Sequence, residues 1–397
     1  MRPYIPVSTE KDLQSGNKPH STLVLEGPIS LHAAIELAND VEIVGNGHAL
    51  RFDSCDGIAL SKDNSLRALT IETPDDARAV FFTHGATGSF ALERLHVRGQ
   101  ISLISETGAG DIAVDARDVT VEYADTTKRA EMPHGYNVDV EQGAFTLWNR
   151  ADGTRYSARA TGIAVGSKER PVRGSGVFVS GSENAAFSMD LLQTDEVFID
   201  SAIPDNTPSK IAGGVFAVVE AQVESIVSTG RVETRGNNAM ALDNWGRVKT
   251  WVAFDTVATF DPSSIGFVNF GWIGTLSLLG DVVTEGRGSR GFNNYDGTVE
   301  SLFIKRIETF GDGAVGLQIS KPLGTVVVGE GIATHGGTGL SLVKGVMKEL
   351  DAHAFSVIGE GDARSVFVGG ALETGSPDIP AVAGEELLRA KIIRSGR

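Results

Sequence analysis

A regular alternation of apolar and polar positions marks the segment between Gly214 and Gly375. Threonines recur there at intervals of 25 residues, at Thr234, Thr259, Thr284, Thr309 and Thr334. Two residues before each threonine an apolar column contains Val232, Val257, Val282, Ile307, Ile332 and then Val357. A second apolar column contains Ala217, Leu242, Phe267, Phe292, Leu317, Leu342 and Phe367. Repeats of this length indicate stacked solenoid units.

The repeat is built from strands. Each unit holds short apolar, β-branched runs such as Val223–Val227 and Val248–Val252, and none holds an apolar stripe of helical length. Three short strands and three turns fit one repeat, which predicts one coil of a parallel β-helix with coils about 4.8 Å apart. Valines then fill the interior, and the threonine hydroxyls are expected to bond to one another along the stack.

The predicted fold is therefore a single all-β domain over residues 1–397. A short helix at residues 8–16 belongs to an N-terminal cap over 1–20, and 214–375 holds the most regular coils. Residues 123–161 are predicted to leave the helix as an inserted loop plus hairpin, because Asp152-Gly153 lies between two strand-like runs. The tail over 384–397 is expected to cover the last coil, since uncapped strand edges invite aggregation.

The opening segments resemble a known superfamily. Thr22–Gly27, Ile29–Leu31 and Val41–Gly47 resemble the first coils of bacterial right-handed parallel β-helix proteins of the pectate-lyase-like superfamily. The resemblance implies a right-handed helix and, by analogy alone, carbohydrate chemistry. Lys305-Arg306-Ile307 and Thr334-His335-Gly336-Gly337 do not match the polygalacturonase motifs, and the pectate-lyase calcium site is not recognisable.

The net charge and the cysteine count limit the kinds of binding partner and cellular compartment that the sequence predicts. The formal charge of −16 disfavours binding to nucleic acid or to anionic lipid. The single cysteine, Cys55, excludes a disulfide framework. The first 13 residues do not form a signal peptide and no apolar run reaches membrane-spanning length, so we expect a cytoplasmic protein, or a secreted one whose leader has been removed.

Strand alternation predicts which side chains face outward. If Leu242 points inward, so do Asn244, Asn269 and Asn294, which would form a ladder of amide hydrogen bonds. Three outward columns then lie side by side: the small residues Ala241, Gly266, Gly291, Gly316 and Ser341; the polar line of Asp243, Asn293 and Gln318; and the aromatic wall of Trp245, Phe270 and Tyr295. Aromatic faces beside polar groups suit sugar rings.

Carboxylates lie on the same surface. Glu220 and Asp243 are one coil and two positions apart, which predicts Cα atoms about 8 Å apart and carboxyls within the range used in glycoside cleavage. Asp296 is predicted at the following turn, with Lys321 one coil above it. The predicted catalytic residues are Asp243, Glu220 and Asp296, and the predicted substrate-binding residues are Trp245, Phe270, Tyr295, Asn293, Gln318 and Lys321.

These residues predict a glycoside hydrolase or transglycosylase acting on a neutral or weakly charged oligo- or polysaccharide. One alternative is a lyase or epimerase, with Lys321 or Lys344 as base. Another is a non-catalytic scaffold or glycan-binding protein, whose aromatics lie under a loop or in the interface of a homotrimer. If the strip is inert, the insertion offers His134, Tyr136, Asp139, Glu141 and Arg150.

The sequence predicts no metal ion and no cofactor. The eight histidines show no pair at metal-ligand spacing. Gly45-Asn46-Gly47 is a corner rather than a phosphate loop, because no helix follows it.

Overall fold

The computed structural model describes residues 3–108 and 110–394, and within them the chain winds into a parallel β-helix. Nearly every strand pairs in parallel with its counterparts on the coils before and after it. In most coils one strand lies on one face of the helix, which we call the short-strand face, and the remaining strands, which include the longest ones, lie on the rest of the perimeter, which we call the long-strand face. The all-β solenoid expected from the 25-residue period is confirmed.

The strands divide between two faces. The short-strand face contains Ile35–Glu36, Ile58–Lys62, Gln100–Ser105, Gly143–Asn149, Ser175–Ser180, Lys210–Ala217, Ala239–Asn244, Ile265–Asn269, Arg290–Asn294, Leu317–Ile319, Phe355–Val357 and Val382–Ala383. The long-strand face contains Tyr4–Val7, Thr22–Leu25, Ile29–Leu31, Glu42–Val44, Ala49–Phe52, Ser65–Glu72, Arg78–Arg98, Ile112–Tyr123, Tyr156–Val165, Val172–Arg173, Phe187–Asp200, Ala221–Ser228, Val232–Arg235, Arg247–Ala253, Val257–Thr259, Trp272–Thr284, Thr298–Thr309, Leu323–Thr334, Ala363–Val368, Ala371–Thr374 and Ile392–Arg394. Arg78–Arg98 turns a corner and pairs with strands of both faces.

The interior columns follow the 25-residue period through most of the repeat region. The apolar column is in register from Val232 through Val257, Val282 and Ile307 to Ile332, and all five side chains are buried. Its next member is Leu372 rather than Val357. Val357 is buried, but it lies on the short-strand face in register with Ile319. The prediction for this last position was wrong because 40 residues, rather than 25, separate Ile332 from Leu372, so an insertion of 15 residues intervenes.

The asparagine ladder is confirmed. Asn244 Nδ2 donates to Asn269 Oδ1 at 2.8 Å, and Asn269 Nδ2 donates to Asn294 Oδ1 at 2.8 Å. All three side chains are fully buried. The ladder fixes the orientation of the short strands, because each asparagine occupies the last position of its strand and faces the interior.

The threonine column bonds differently from the expectation. The hydroxyl of Thr284 donates to the carbonyl of Ser289 at 2.9 Å, and that of Thr309 donates to Ala314 at 2.7 Å. Each bond spans the corner within one coil, so the hydroxyls do not bond to one another along the stack. Thr259 Oγ1 has no partner among the described residues.

The column of small residues also points inward, which corrects the predicted outer floor. A Cβ added to Gly266 would lie 2.5 Å from Val282 Cγ1, and one added to Gly291 would lie 2.3 Å from Ile307 Cγ2. Ala241 of this column and the next residue, Leu242, are both in the interior. Two consecutive residues of the strand therefore face the core, and strict alternation fails there. Glycine is required because the valine and isoleucine column already occupies the space.

Residues 143–165 belong to the helix and do not form the predicted hairpin. Gly143–Asn149 pairs in parallel with Gln100–Ser105 and Ser175–Ser180, whereas Tyr156–Val165 pairs with Ile112–Tyr123 on the other face. The Asp-Gly turn is a corner of one coil. The inserted hairpin lies earlier, with His134–Gly135 antiparallel to Val138–Val140. We call it the first hairpin.

A second hairpin lies where the sequence predicted regular coils. Thr338–Val343 pairs antiparallel with Val346–Asp351, outside the helix. Because this second hairpin adds about half a repeat to its coil, Leu342 and Ser341 lie outside the columns to which the period assigned them.

The ends of the chain differ in kind. The helix Glu10–Gly16 is capped by Thr9, whose side chain accepts from the backbone N–H of Asp12 at 3.1 Å. The tail holds a short 3-10 helix at Glu385–Leu387 and a strand, Ile392–Arg394, that pairs with Ala363–Val368. The tail therefore adds one more strand to the end of the long-strand face, and residues 1, 2 and 395–397 of the predicted ends lie outside the described residues.

Candidate functional site

The two hairpins meet above the predicted strip. Both turns are two residues long with positive φ at both positions: 51° and 66° at Tyr136 and Asn137, 49° and 78° at Lys344 and Gly345. A Cβ built on Gly345 would lie 3.1 Å from the carbonyl oxygen of Asn137 and 3.3 Å from its Cβ. The tips therefore touch, although about 200 residues separate them in the chain.

Under these tips lies the aromatic strip, which we define as Trp245, Phe270 and Tyr295. Phe270 and Tyr295 stack with ring centroids 4.9 Å apart, and Trp245 meets Phe270 edge-on at 5.8 Å. Tyr136 of the first hairpin stacks on Phe270 at 4.0 Å and meets Trp245 edge-on at 5.1 Å. The strip points out of the helix as predicted, but only 9% of Trp245 and 6% of Tyr295 remain exposed.

The second hairpin is anchored over the same coils. Arg290 is fully buried and donates to the Tyr295 hydroxyl at 2.6 Å and to the carbonyl oxygen of Leu342 at 2.5 Å. The Ser341 hydroxyl donates to the Gly288 carbonyl at 2.7 Å. These bonds attach the hairpin to the wall of the strip through polar groups rather than through a large apolar contact.

Asp243 lies beneath the hairpin tips and is fully buried. Neither carboxyl oxygen has a hydrogen-bond partner among the described residues. Burial raises the pKa of Asp243 well above its ordinary value, and the neighbouring Trp245 indole and Asn244 backbone N–H groups offset this only in part. The indole N–H does not complete a hydrogen bond of normal geometry, so burial is the dominant influence, and it favours the protonated form of the carboxyl.

Asp296 has the opposite environment. It is a third exposed, and Lys344 Nζ at the tip of the second hairpin donates to its Oδ2 at 2.5 Å. Tyr136 lies near both carboxyls: burial raises the pKa of Tyr136, and the charge of Asp296 raises it further. The two carboxyls therefore differ, because Asp243 is buried with a raised pKa, whereas Asp296 is partly exposed and ion-paired. Environments that separate two carboxyls in this way are typical of acid–base pairs.

Unpartnered polar groups continue beyond Asp243 in the same column. The register runs from Asp243 through Val268 and Asn293 to Gln318. Asn293 is fully buried with neither amide atom bonded, and the Gln318 side-chain oxygen is buried without a partner. Buried polar groups in folded proteins almost always have partners, so this column stands out as a place for a ligand.

The space left above Asp243 is small. Tyr136, Asp243, Trp245, Phe270 and Lys344 are among the residues that line a cavity of about 30 Å³. That volume suits one water-sized molecule. A sugar ring therefore reaches Asp243 only after a hairpin tip moves.

Two predicted site residues, Glu220 and Lys321, do not line the cavity. Ala217 and Asn244 are in register, which is a spacing of 27 rather than 25 residues. The residue one coil before Trp245 in the aromatic column is therefore Val218 rather than Glu220. Glu220 lies in the following turn, exposed and with a φ of 54°, and does not line the cavity. Lys321 forms an ion pair with Glu360, and the cation that meets Asp296 is Lys344.

The sequence contained signals for the residues that were missed. Lys344-Gly345 lies between two short runs that begin or end with apolar residues, Leu340–Val343 and Val346–Leu350, and a glycine in the turn between two such runs indicates a hairpin. Tyr136 was only a reserve candidate, and nothing in its local sequence indicates that it reaches Phe270. Of the other reserve candidates, His134 braces the first hairpin, with its Nδ1 2.8 Å from Asp139 Oδ1.

Comparison of the chain with protein-family models, curated proteins and solved structures found no match in any of the three. Among residues 3–108 and 110–394, no helix is long and apolar enough to cross a membrane. Within the same ranges, no cluster of three or more His, Cys, Asp or Glu side chains is arranged to hold a metal ion.

Proposed function

We propose that this protein is a carbohydrate-active enzyme that cleaves or transfers a glycosidic bond in a neutral or weakly charged glycan. The observation that carries the proposal is the buried, unpartnered carboxyl of Asp243 beside an aromatic wall. Aromatic faces bind the C–H faces of sugar rings, and unpartnered amides at Asn293 and Gln318 supply bonds for hydroxyl groups. The net charge of −16 disfavours a polyanionic substrate.

In this mechanism Asp243 is the general acid. Its proton passes to the glycosidic oxygen as the bond from that oxygen to the anomeric carbon breaks, and Asp243 is left ionised. Asp296 either attacks the anomeric carbon or takes a proton from the water or acceptor hydroxyl that attacks it. Lys344 forms an ion pair with Asp296 in the closed state and leaves with the second hairpin when that tip lifts.

Substrate entry requires the hairpins to act as a lid. The first hairpin is joined to the helix by only two parallel residue pairs, Asp139 with Lys210 and Val140 with Ile211. Its tip is held by the two aromatic contacts of Tyr136 and by its contact with the second hairpin, and each aromatic pair contributes about 0.5–1.5 kcal/mol beyond its buried area. Contacts of this size are small compared with the free energy of unfolding of the whole domain, so we expect the tip to open without unfolding.

The first test is a screen of the purified protein against a broad set of glycans. On the glycan that is degraded, Asp243→Asn and Asp296→Asn should each lower kcat by about 10²- to 10⁴-fold. Asp378→Asn is the matched control, because Asp378 is exposed and distant from the strip. Wild-type rates in both Asp243→Asn and Asp296→Asn, or no turnover of any glycan, would refute the proposal and favour a non-catalytic scaffold.

The lid is tested by a reversible cross-link. The 3.3 Å separation at Asn137 and Gly345 is a few tenths of an ångström below the Cβ spacing of an ordinary disulfide, about 3.5–4.5 Å. Asn137→Cys with Gly345→Cys, in a Cys55→Ser background, should be inactive when oxidised and active when reduced. Full activity of the oxidised protein would show that substrate reaches Asp243 without the lid opening. Assembly into a homotrimer stays a prediction, which sedimentation equilibrium checks.

A further inference from the structure

The outer surface of the long-strand face carries an open groove that is separate from the lidded strip. Three adjoining hollows of about 690, 470 and 420 Å³ share lining residues and form one continuous depression. Ser89, Ala113 and Ser157 line the first two hollows, and Ser188 and Gln222 line the second and third.

The floor of the groove is one column of the helix. Its residues are in register on seven consecutive coils: Ser89, Ala113, Ser157, Ser188, Gln222, Arg247 and Trp272. Six coil steps of about 4.8 Å give a length of about 29 Å. The first four side chains are small and exposed, so the groove is open along its length. Its far end is closed by Trp272, over which the Arg247 guanidinium stacks at 3.7 Å.

The walls present polar groups without partners. Arg159 and Asp190 line the first hollow on neighbouring coils, and neither forms an ion pair or a side-chain hydrogen bond with the described residues. Charged groups that are not paired within the protein are available to hydrogen-bond a polar ligand.

We propose that this groove binds an extended, neutral polysaccharide chain. The charged lining of the first hollow is mixed, with carboxylates at Glu42, Asp63, Asp115 and Asp190 and arginines at Arg67 and Arg159, so it favours neither a polyanion nor a polycation. A polypeptide in extended form is normally held by unpaired strand edges, but the floor strands from Ile112 to Ala253 are paired on both sides. Hydroxyl, carboxylate and guanidinium groups repeated at every coil suit the repeating hydroxyls of a sugar polymer.

The test is affinity gel electrophoresis of the full chain in gels containing hydroxyethyl cellulose, galactomannan, laminarin or dextran. At least one neutral polymer should retard the protein. Ser157→Trp fills the floor at an exposed position and should weaken binding about tenfold or more. Ser301→Trp is the control, since Ser301 is exposed on the same face and lies outside the groove. Binding is measured without turnover, so the result does not depend on Asp243.

Three results would overturn the proposal. The first is that none of the neutral polymers retards the protein. The second is that Ser157→Trp binds like the wild type, or that Ser301→Trp weakens binding equally. The third is that the bound polymer is polygalacturonate or an unfolded, carboxymethylated polypeptide, with Ser157→Trp abolishing that binding.

Discussion

Replacing Asn269 by alanine tests the stacking of the coils most directly. Asn269 is the middle rung of the asparagine ladder: it accepts from Asn244 and donates to Asn294, with both distances 2.8 Å. Neither bonded atom, Asn244 Nδ2 or Asn294 Oδ1, has another partner. The substitution therefore leaves one donor and one acceptor unpaired in a fully buried position.

The size of the effect follows from those two groups. Leaving one buried neutral donor or acceptor unsatisfied costs about 1–3 kcal/mol, so Asn269→Ala should lower the free energy of unfolding by about 4 kcal/mol. Replacing Asn244, Asn269 and Asn294 together by valine leaves no side-chain amide of the ladder without its partner. The triple change should therefore lower the free energy of unfolding by less than the sum of the three single changes. The same column continues as Ile319, which shows that an apolar side chain fits there.

Urea unfolding followed by circular dichroism measures these differences. Asn184→Ala is the control, because Asn184 is exposed and its side chain makes no hydrogen bond; its effect should lie within about 0.5 kcal/mol. A loss below about 1 kcal/mol for Asn269→Ala, or full additivity in the triple variant, would show that the ladder is not a source of stability.

Further predictions concern burial and packing. Burial raises the pKa of Glu141, next to the first hairpin, from 4.5 to about 7, partly offset by Lys210. The folded state binds this proton more tightly than the unfolded state does. The contribution of Glu141 to the free energy of unfolding is therefore fully present below about pH 4.5, and about 3 kcal/mol of it is lost as the pH rises through 7. Glu141→Gln should flatten that part of the urea-midpoint profile, and parallel profiles for the two proteins would contradict the assignment. Gly291→Ala should cost about 1–3 kcal/mol, because the new Cβ would lie 2.3 Å from Ile307 Cγ2. Gly27→Ala, with no atom within 4 Å of the new Cβ, is its control, and equal thermal stability of the two variants would refute the crowding argument.

The candidate site was only partly predictable. Alternation from the asparagine ladder correctly directed Trp245, Phe270 and Tyr295 outward, and it put Asp243 beside them. It failed for Gly266 and Gly291, because two consecutive residues turn inward at that point of each short strand. It also misplaced Glu220, because one coil has two extra residues in its turn and the period cannot register such a local change.

The sequence by itself determined the solenoid. Each coil contacts mainly its two neighbours, so a repeat of β-branched residues, threonine and asparagine at fixed spacing is enough to specify the stack. Only the tertiary structure decided that Tyr136 and Lys344 close over one strip and that Asp243 is buried. A hairpin's turn is encoded by a few adjacent residues, whereas the surface it covers depends on contacts between distant coils that no local pattern records. The same is true of the groove. Its seven floor residues are unequally spaced in the sequence, and they form one column only in the folded coils.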